Sequence, residues 1–477
     1  MVLIFTDTAF KTRRIGAYRI ASALRNENVE VEVIDHLASW DYNELIAALD
    51  KVVDISWIGF SASYLHYFSD NSGIFRITDL EYAREQALIS YIRSRGIPIV
   101  IGGSNADILK NNILGYYVVV GYADAAIIKI HEHITTGSSL IFTEINTNKV
   151  VYADVDYSAT LENTETQFIE TDFIANSREL LPLEISRGCI FRCAFCEFSH
   201  LGKKPGTYIR YKEHIKSEIE CLYNTYGIYT FLFMDDTFND CVEKMQMIKE
   251  IREETGIPFT FWAYGRLDLL ARFPEMVDLI GETGWNAFTF GIETLNKKTG
   301  SSVGKGADPE KLKQCLIDLK LRYPYIHIQA NLIVGLPHST REDIKESVDW
   351  FLEAGVTDYL RVVDLDIKDS RNTLHGSMFS NNPTKFGFRL LSSDGLRYNW
   401  ENDGFTRASA KEYANEINNY ITDNKKKNIP YHSKYYVNQL ISDNSVAGSI
   451  KKTFFEVSDD TILYIRKKKE YLTNLKS

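Results

Sequence analysis

The sequence predicts an α/β protein: an N-terminal Rossmann-like doubly wound sheet, a partial (β/α)6 barrel, and a small, mostly helical C-terminal region. Three observations carry this reading. At 477 residues the chain is too long for one ordinary core. Period-two apolar runs alternate with period-3.6 segments over residues 1–136 and again over 181–370, the mark of βαβ units. The second stretch holds six such units, too few to close an eight-fold barrel.

In the first stretch "VLIFTD" precedes "GAYRIASALRNEN", and "VEVEVID" precedes "YNELIAALDKV". "ISWIGFSAS" leads into "LEYAREQALISYIRSRG", and "IPIVIGG" and "YYVVVGYAD" follow. Right-handed crossovers turn such units into a doubly wound sheet with its functional groups at the carboxyl ends of the strands. Those ends carry Asp7, Ser61 to Ser63, and Gly102 with Gly103. Residues 137–180 read as a linker: a small hairpin in "SLIFTEINTNKVVYADVDY", then a polar connection lying over the next domain.

The barrel strands are "LPLEISR", "IYTFLFMDD", "PFTFWAYGR", "WNAFTFGIE", "IHIQANLIVG" and "TDYLRVVDLDI". A helical segment separates each from the next, and four of these close on glycine, a frequent helix stop. Residues 371–477 lack this rhythm; "SAKEYANEINNYITDNKKKN" reads as a helix in a region expected to cover the barrel mouth.

Composition narrows the class. A 44% hydrophobic and 25% charged chain reads as soluble and globular. No run approaches eighteen apolar residues, so no membrane span is expected. "MVLIFTDTAFKTRR" is apolar and then basic, the reverse of a signal peptide, which suits a buried first strand and a cytoplasmic protein. A net charge of -10 argues against a broad nucleic-acid surface. The basic clusters Lys425 to Lys427 and Arg466 to Lys469 read as solvated faces.

"RGCIFRCAFCEFSH" sets Cys189, Cys193 and Cys196 directly after the first barrel strand. In a reducing compartment close-set cysteines suggest metal rather than disulfides. Zinc with His200 as fourth ligand is one reading, and makes the chain a non-catalytic, metal-stabilised binding protein. An iron–sulfur cluster with three thiolates and one open iron is the other. Spacing alone leaves both open.

The motif C-x3-C-x-aromatic-C, with Phe195 before the third cysteine and a six-unit barrel around it, strongly resembles the radical S-adenosylmethionine superfamily. That resemblance implies one 4Fe–4S cluster on Cys189, Cys193 and Cys196, with S-adenosylmethionine as the fourth ligand. It implies a 5′-deoxyadenosyl radical that abstracts hydrogen from an unknown small-molecule or peptide substrate, and an electron donor such as flavodoxin or ferredoxin. Carried over strand by strand, it implies Asp235 at the methionine ammonium, with Asp236 a helix cap or supporting partner. It puts Arg266 at the methionine carboxylate, Glu293 at the ribose hydroxyls, and backbone near Val334 and Gly335 at the adenine. Asp364 and Asp366 end the sixth strand as substrate-side candidates.

The order of domains resembles the cobalamin-binding radical enzymes over residues 1 to 370. Ser63, Gly102 and Gly103 would then line the cobalamin nucleotide tail. Cobalamin domains with a lower histidine carry Asp-x-His-x-x-Gly after the first strand, whereas this chain has "DTAFKTRRIG". Cobalamin bound without a protein histidine, making the chain a C-methyltransferase, and a domain that only supports the barrel both stay open. No cysteine precedes Cys189 or follows Cys315, so a single cluster is expected. Cys221, Cys241 and Cys315 fall on barrel helices and are expected to be buried structural thiols.

Overall fold

Runs rich in Val, Ile and Phe form the strands, and their burial on both faces explains why they read as continuous apolar stretches. The computed structural model describes all residues outside 7–11, 63–78, 104–105, 112–114, 154–160, 162–163, 175–178, 197–207, 371–375, 394–396, 425–458 and 476–477. The chain divides into two units. One is Met1–Pro182 with Ser217–Ile228 and Thr453–Ser477; the other is Leu183–Lys216 with Tyr229–Lys452.

The first unit is built on a seven-stranded sheet. Its strands are β1 (Val2–Phe5), β2 (Val31–Ile34), β3 (Trp57–Ser61), β4 (Ile99–Gly102), β5 (Tyr117–Val120), β6 (Thr143–Ile145) and β7 (Asn148–Tyr152). They lie in the order β2-β1-β3-β4-β5-β7-β6. Strands β1 to β5 are parallel, as the doubly wound reading requires. The order reverses between β1 and β3, the switch point where such sheets open a crevice for a ligand.

The expected linker differs from this. Strand β7 pairs parallel with β5, and β6 pairs antiparallel with β7, so 143–152 extend the sheet. The following segment wraps the first unit because the buried Arg13 and the half-buried Arg25 need partners there. Arg13 donates to Glu179 at 2.5 Å and to the Asp172 carbonyl at 2.7 Å, and Arg25 donates to the Gln167 carbonyl at 3.0 Å.

The C-terminal region is also split. Helix Asp459–Asn474 belongs to the first unit, where the Tyr464 hydroxyl accepts from Asp35 N at 2.9 Å and donates to Val33 O at 3.1 Å. Lys468, read as part of a solvated cluster, is fully buried and paired with Glu32. The helix turns one face to β2, and Tyr464, Lys468 and Tyr471 recur on it at helical spacing.

The other large sheet is made of β8 (Leu181–Leu183), β9 (Thr230–Phe233), β10 (Thr260–Gly265), β11 (Trp285–Glu293), β12 (His327–Val334) and β13 (Tyr359–Asp364). They form one six-stranded sheet in sequence order, the open barrel expected from the six units. Four of the helices between strands close on Gly227, Gly256, Gly284 and Gly355, each in the left-handed region, as expected from the sequence. Along β12, Ile328, Ala330, Leu332 and Val334 are buried, while His327, Gln329, Asn331 and Ile333 are half-buried. The first set faces the helices and the second the lumen.

Strand β13 would leave an unpaired backbone edge. The Asn418 carboxamide fills it, accepting from Val362 N at 3.1 Å and donating to Val362 O at 2.7 Å. Asn418 sits on helix Arg407–Asn424, and the hairpin β14 (Arg389–Ser393) with β15 (Tyr398–Glu401) continues the cover. Among the described residues no helix is long and apolar enough to cross a membrane.

Asn418→Leu should expose the β13 edge. Hydrogen exchange of amides in 359–364 is expected to quicken about tenfold or more, from the loss of two buried hydrogen bonds. Unchanged protection, read by mass spectrometry of that peptide, would mean the edge is held by something else.

Candidate functional site

The cysteine loop leaves β8 and lies at the carboxyl ends of the barrel strands. Cys193 is buried, and Cys189 and Cys196 are half-buried. Cys196 N donates to Cys193 O at 3.0 Å, and Ala194 N donates to Val303 O at 3.0 Å. Phe379 N donates to Ala194 O at 3.2 Å, so the segment after β13 supports the loop from its other side. Phe195, half-buried, stands in the turn before Cys196. The Cys189 sulfur lies 3.5 Å from the Thr237 hydroxyl at the end of β9.

Two cations lie near Cys193. Arg266 directs Nη1 to its sulfur at 3.5 Å, and stacks its guanidinium 4.1 Å from the Phe191 ring centroid. Burial pushes the Cys193 thiol up, while the charges of Lys305 and then Arg266 pull it back. Lys305 Nζ lies 3.4 Å from Glu293 and also donates to the Gly291 carbonyl. Burial raises the Glu293 carboxyl, and Lys305 offsets part of that. Glu293 has φ of 67° and folds back over Gly291, where a Cβ would collide with its carboxylate.

Asp235 has an inward role instead of a place at the mouth. It accepts from Ser186, from Ile185 N at 3.3 Å, and from Lys244 at 3.1 Å, with no exposed side-chain surface. Lys244 also reaches Asp240 at 2.8 Å and the Thr237 carbonyl at 2.9 Å. Burial opposes the Lys244 charge, yet Asp235 and Asp240 hold it above the ordinary lysine value. Successive residues at a strand end point to opposite sides. Asp236 therefore takes the other side, half-buried and bonded by the Gly188 backbone, and burial with Asp235 pushes its carboxyl up to about 6.

The Arg266 fork is likewise occupied: Nε and Nη2 bind Asp268 at 2.9 and 2.7 Å. Burial works against this guanidinium, and Asp268 keeps it charged. Val334 O accepts from Leu365 N at 2.9 Å, and Gly335 O from the Asn402 amide at 2.9 Å, so both carbonyls are committed within the protein. Gly335 has φ of 97°, and a Cβ there would meet the buried Trp400 ring, so glycine is required. Residues 377–393 and 397–405 lie over the mouth, with Trp400 and Asn402 at the end of β12. Asp366 pairs with Arg397 at 2.7 Å, and Asp364 is half-buried at the rim.

In the first unit Gly102 has open space on its side-chain face, and Gly103 has φ of 100°. Gly102 O accepts from Ala62 N at 2.6 Å, which ties the ends of β3 and β4 together. Beside them, at the end of β1, the buried Thr6 hydroxyl has no hydrogen-bond partner among the described residues. Ser63, Asp7 and His200 lie outside the described residues. Cys221 is exposed rather than buried, because Ile215, Ile219 and Leu222 take the inward face of its helix. Cys241 and Cys315 are half-buried thiols that burial pushes up to about 11 and about 12.

Lys305, Lys244 and Thr237 were not singled out from sequence. A lone lysine between two glycines in "VGKGAD" was the available signal for the first. Nothing in spacing marks the other two.

No three His, Cys, Asp or Glu side chains among the described residues converge to hold a single metal ion. A cubane cluster spreads its thiolates over different irons and makes no such demand. Three thiols with Lys305 and Arg266 to offset their charge fit a thiolate-bound cluster.

Residues 183–351 match the Radical SAM superfamily. An uncharacterized methyltransferase, PH0819 of Pyrococcus horikoshii, is 28% identical over 166 residues, 34% of this chain and 34% of that protein. The chain thus spans about a third of that relative's length. The radical S-adenosylmethionine methyltransferase TsrM of Kitasatospora setae, solved with tryptophan and a SAM analog, matches at TM-score 0.60 and 16% identity, over 83% of this chain and 79% of that one. The cobalamin-dependent radical enzyme OxsB, solved with aqua-cobalamin and S-adenosylmethionine, matches at TM-score 0.57 and 16% identity, over 75% and 53%. Both share the fold.

Lys244→Met would leave Asp235 and Asp240 buried without their counter-charge, and is expected to cost about 3–5 kcal/mol. Adding Asp235→Asn should recover part of that loss. Urea unfolding followed by circular dichroism measures both. A single variant as stable as the parent would show that the cluster does not hold the strand ends.

Proposed function

We propose, from the premise that this barrel belongs to the radical SAM superfamily, that the chain is a SAM-cleaving enzyme whose N-terminal sheet takes a corrinoid and which methylates carbon. The observation that carries the reading is the cysteine loop itself: three thiols at the barrel mouth, with Arg266 turned to Cys193 and the charge of Lys305 close by. When bound, the cluster supplies the electron that splits S-adenosylmethionine reductively, and the corrinoid supplies a carrier for the methyl group. A one-electron donor protein such as flavodoxin or ferredoxin delivers the reducing equivalent.

The chain's own residues then hold and orient. Cys189, Cys193 and Cys196 hold the cluster. Arg266 carries cluster-side charge, because its fork is occupied by Asp268 and only Nη1 reaches the sulfur. Lys305 takes the methionine carboxylate, since its ammonium stands free of any such fork and next to Glu293. Glu293 accepts from the ribose hydroxyls, and Asp236 accepts from the methionine ammonium, a role Asp235 is too deeply committed to fill. Trp400 and the hairpin exclude water above β12.

The corrinoid reading is supported by the unpartnered Thr6 hydroxyl and the open Gly102 at the switch-point end of the first sheet. It is supported also by the fold shared with cobalamin-dependent enzymes. His36 is buried against Tyr464, with ring centroids 5.3 Å apart, so it does not serve as a lower ligand.

Anaerobic purification tests the reading. Protein with all three cysteines changed to alanine should be folded, iron-free and unable to form 5′-deoxyadenosine from S-adenosylmethionine. The parent should hold four irons per chain, as a 4Fe–4S cluster requires, and retain hydroxocobalamin. Colourless parent protein with one zinc would sink the proposal, and iron without retained corrinoid would remove the methyltransferase part alone.

Lys305→Met should weaken S-adenosylmethionine binding about ten- to hundredfold, the loss of one charged hydrogen bond in a sheltered site. Equilibrium dialysis of the iron-loaded protein measures this. Affinity within about twofold of the parent would assign the carboxylate to another cation.

A further inference from the structure

The lumen of the open barrel carries a cation that the site above does not use. Strand register identifies its surroundings. Tyr264 lies beside Thr289, Thr289 beside Gln329, and Gln329 beside Tyr359. One step nearer the mouth, Gly291, Asn331 and Arg361 form the next row across β11, β12 and β13. Residues paired in register share a face of the sheet. The other face of β13 holds Leu360 and Val362, buried on the side of helix Arg407–Asn424. Arg361 therefore projects into the lumen, where it is half-buried.

Among the described residues Arg361 has neither an ion pair nor a side-chain hydrogen bond. Other sheltered arginines around the barrel mouth are occupied, Arg266 by Asp268, Arg187 by Glu184 and Arg397 by Asp366, while Arg192 of the cysteine loop is exposed to solvent. A partly desolvated guanidinium without a partner opposes folding. A β-branched residue such as Val363, two positions along the same face, would serve the strand better. Its neighbour Asn331 accepts from the Gln329 amide at 3.2 Å, which fixes the carboxamide and leaves its own N–H groups as donors. A planar guanidinium beside an amide donor matches an oxyanion, a carboxylate above all. The row ends on Gly291, over which Glu293 and Lys305 fold, so the pair shares a lumen with the SAM-binding residues.

We infer that Arg361 and the Asn331 carboxamide receive an anionic group of the substrate, a carboxylate, and so fix which end of the substrate enters the barrel. This rests on the reading of the barrel as the site of SAM cleavage. Arg361 sets substrate choice and has no part in holding S-adenosylmethionine.

The test is calorimetric titration of the iron-loaded, SAM-saturated full chain with hexanoate, hexyl phosphate and hexylammonium. Hexanoate should bind saturably. Arg361→Met should weaken it about tenfold or more, and Arg361→Lys less, because lysine keeps the charge but not the fork. Affinity for S-adenosylmethionine should stay within about twofold in both variants. Hexyl phosphate binding more tightly than hexanoate, with the same loss in Arg361→Met, supports the oxyanion site and assigns it a phosphoryl group. Hexylammonium binding as well as the anions, or Arg361→Met titrating like the parent, overturns the inference. So does the absence of saturable anion binding in protein that holds iron and binds S-adenosylmethionine. Parent protein with neither iron nor S-adenosylmethionine affinity overturns the reading beneath it, and this inference with it.

Discussion

The mouth of the barrel depends on one buried ammonium. Lys244 has no exposed side-chain surface, and it joins four groups: Asp235 at the end of β9, Asp240 beyond it, the Ser186 hydroxyl after β8, and the Thr237 carbonyl. These are the segments that flank the cysteine loop. Ser186 is three residues before Cys189, and Thr237 touches the Cys189 sulfur. A buried ion pair is a weak source of stability, since desolvation opposes it, but it is a strong source of position, because moving either partner strands a charge. The cluster therefore acts as a fixed point from which the thiol loop is hung. A site that must hold three thiols in register needs such a point close by.

Both units meet a second constraint, the open sheet edge, and they meet it alike. An unpaired strand edge invites pairing with another chain. At β13 a single carboxamide, Asn418, bonds both the N–H and the C=O of Val362. At β2 the Tyr464 hydroxyl accepts from Asp35 N and donates to Val33 O. In each case one side chain on a helix from the C-terminal part of the sequence stands in for the missing strand. Residues 377–393 and 397–424 cover one sheet and Asp459–Asn474 the other, which explains why the tail of the chain showed no rhythm of its own. Its pattern answers to two separate surfaces.

Much of this was legible in sequence. All six barrel strands follow their apolar runs, with "WNAFTFGIE" matching β11 residue for residue. The four glycine stops fall in left-handed backbone at Gly227, Gly256, Gly284 and Gly355. What was not legible depends on partners distant in sequence. The choice between Asp235 and Asp236 turns on which faces Lys244, and a pair of adjacent carboxylates says nothing of that. Arg266 reads as a free fork until Asp268, two residues on, is seen to occupy it. The stretch 164–174 looks polar and irregular because its order comes from Arg13 and Arg25, more than a hundred residues earlier. Lys468 looks solvated because a run of basic residues hides the one that turns inward to Glu32.

The barrel also sorts its cations by partner. Lys244 has two carboxylates and no surface, so it is structural. Arg266 has one carboxylate and one thiol, so it belongs to the loop and contributes charge beside the sulfur. Lys305 has a single half-buried carboxylate and a backbone carbonyl, a looser hold that a bound anion can share. Arg361 has no partner of either kind among the described residues and stands in the lumen. Coulomb attraction in a sheltered site is large enough that each free charge must be answered, by protein or by ligand. The order from Lys244 to Arg361 is then an order of decreasing internal compensation. The substrate carboxylate inferred above would meet its uncompensated end, where a counter-charge from outside has the most to add.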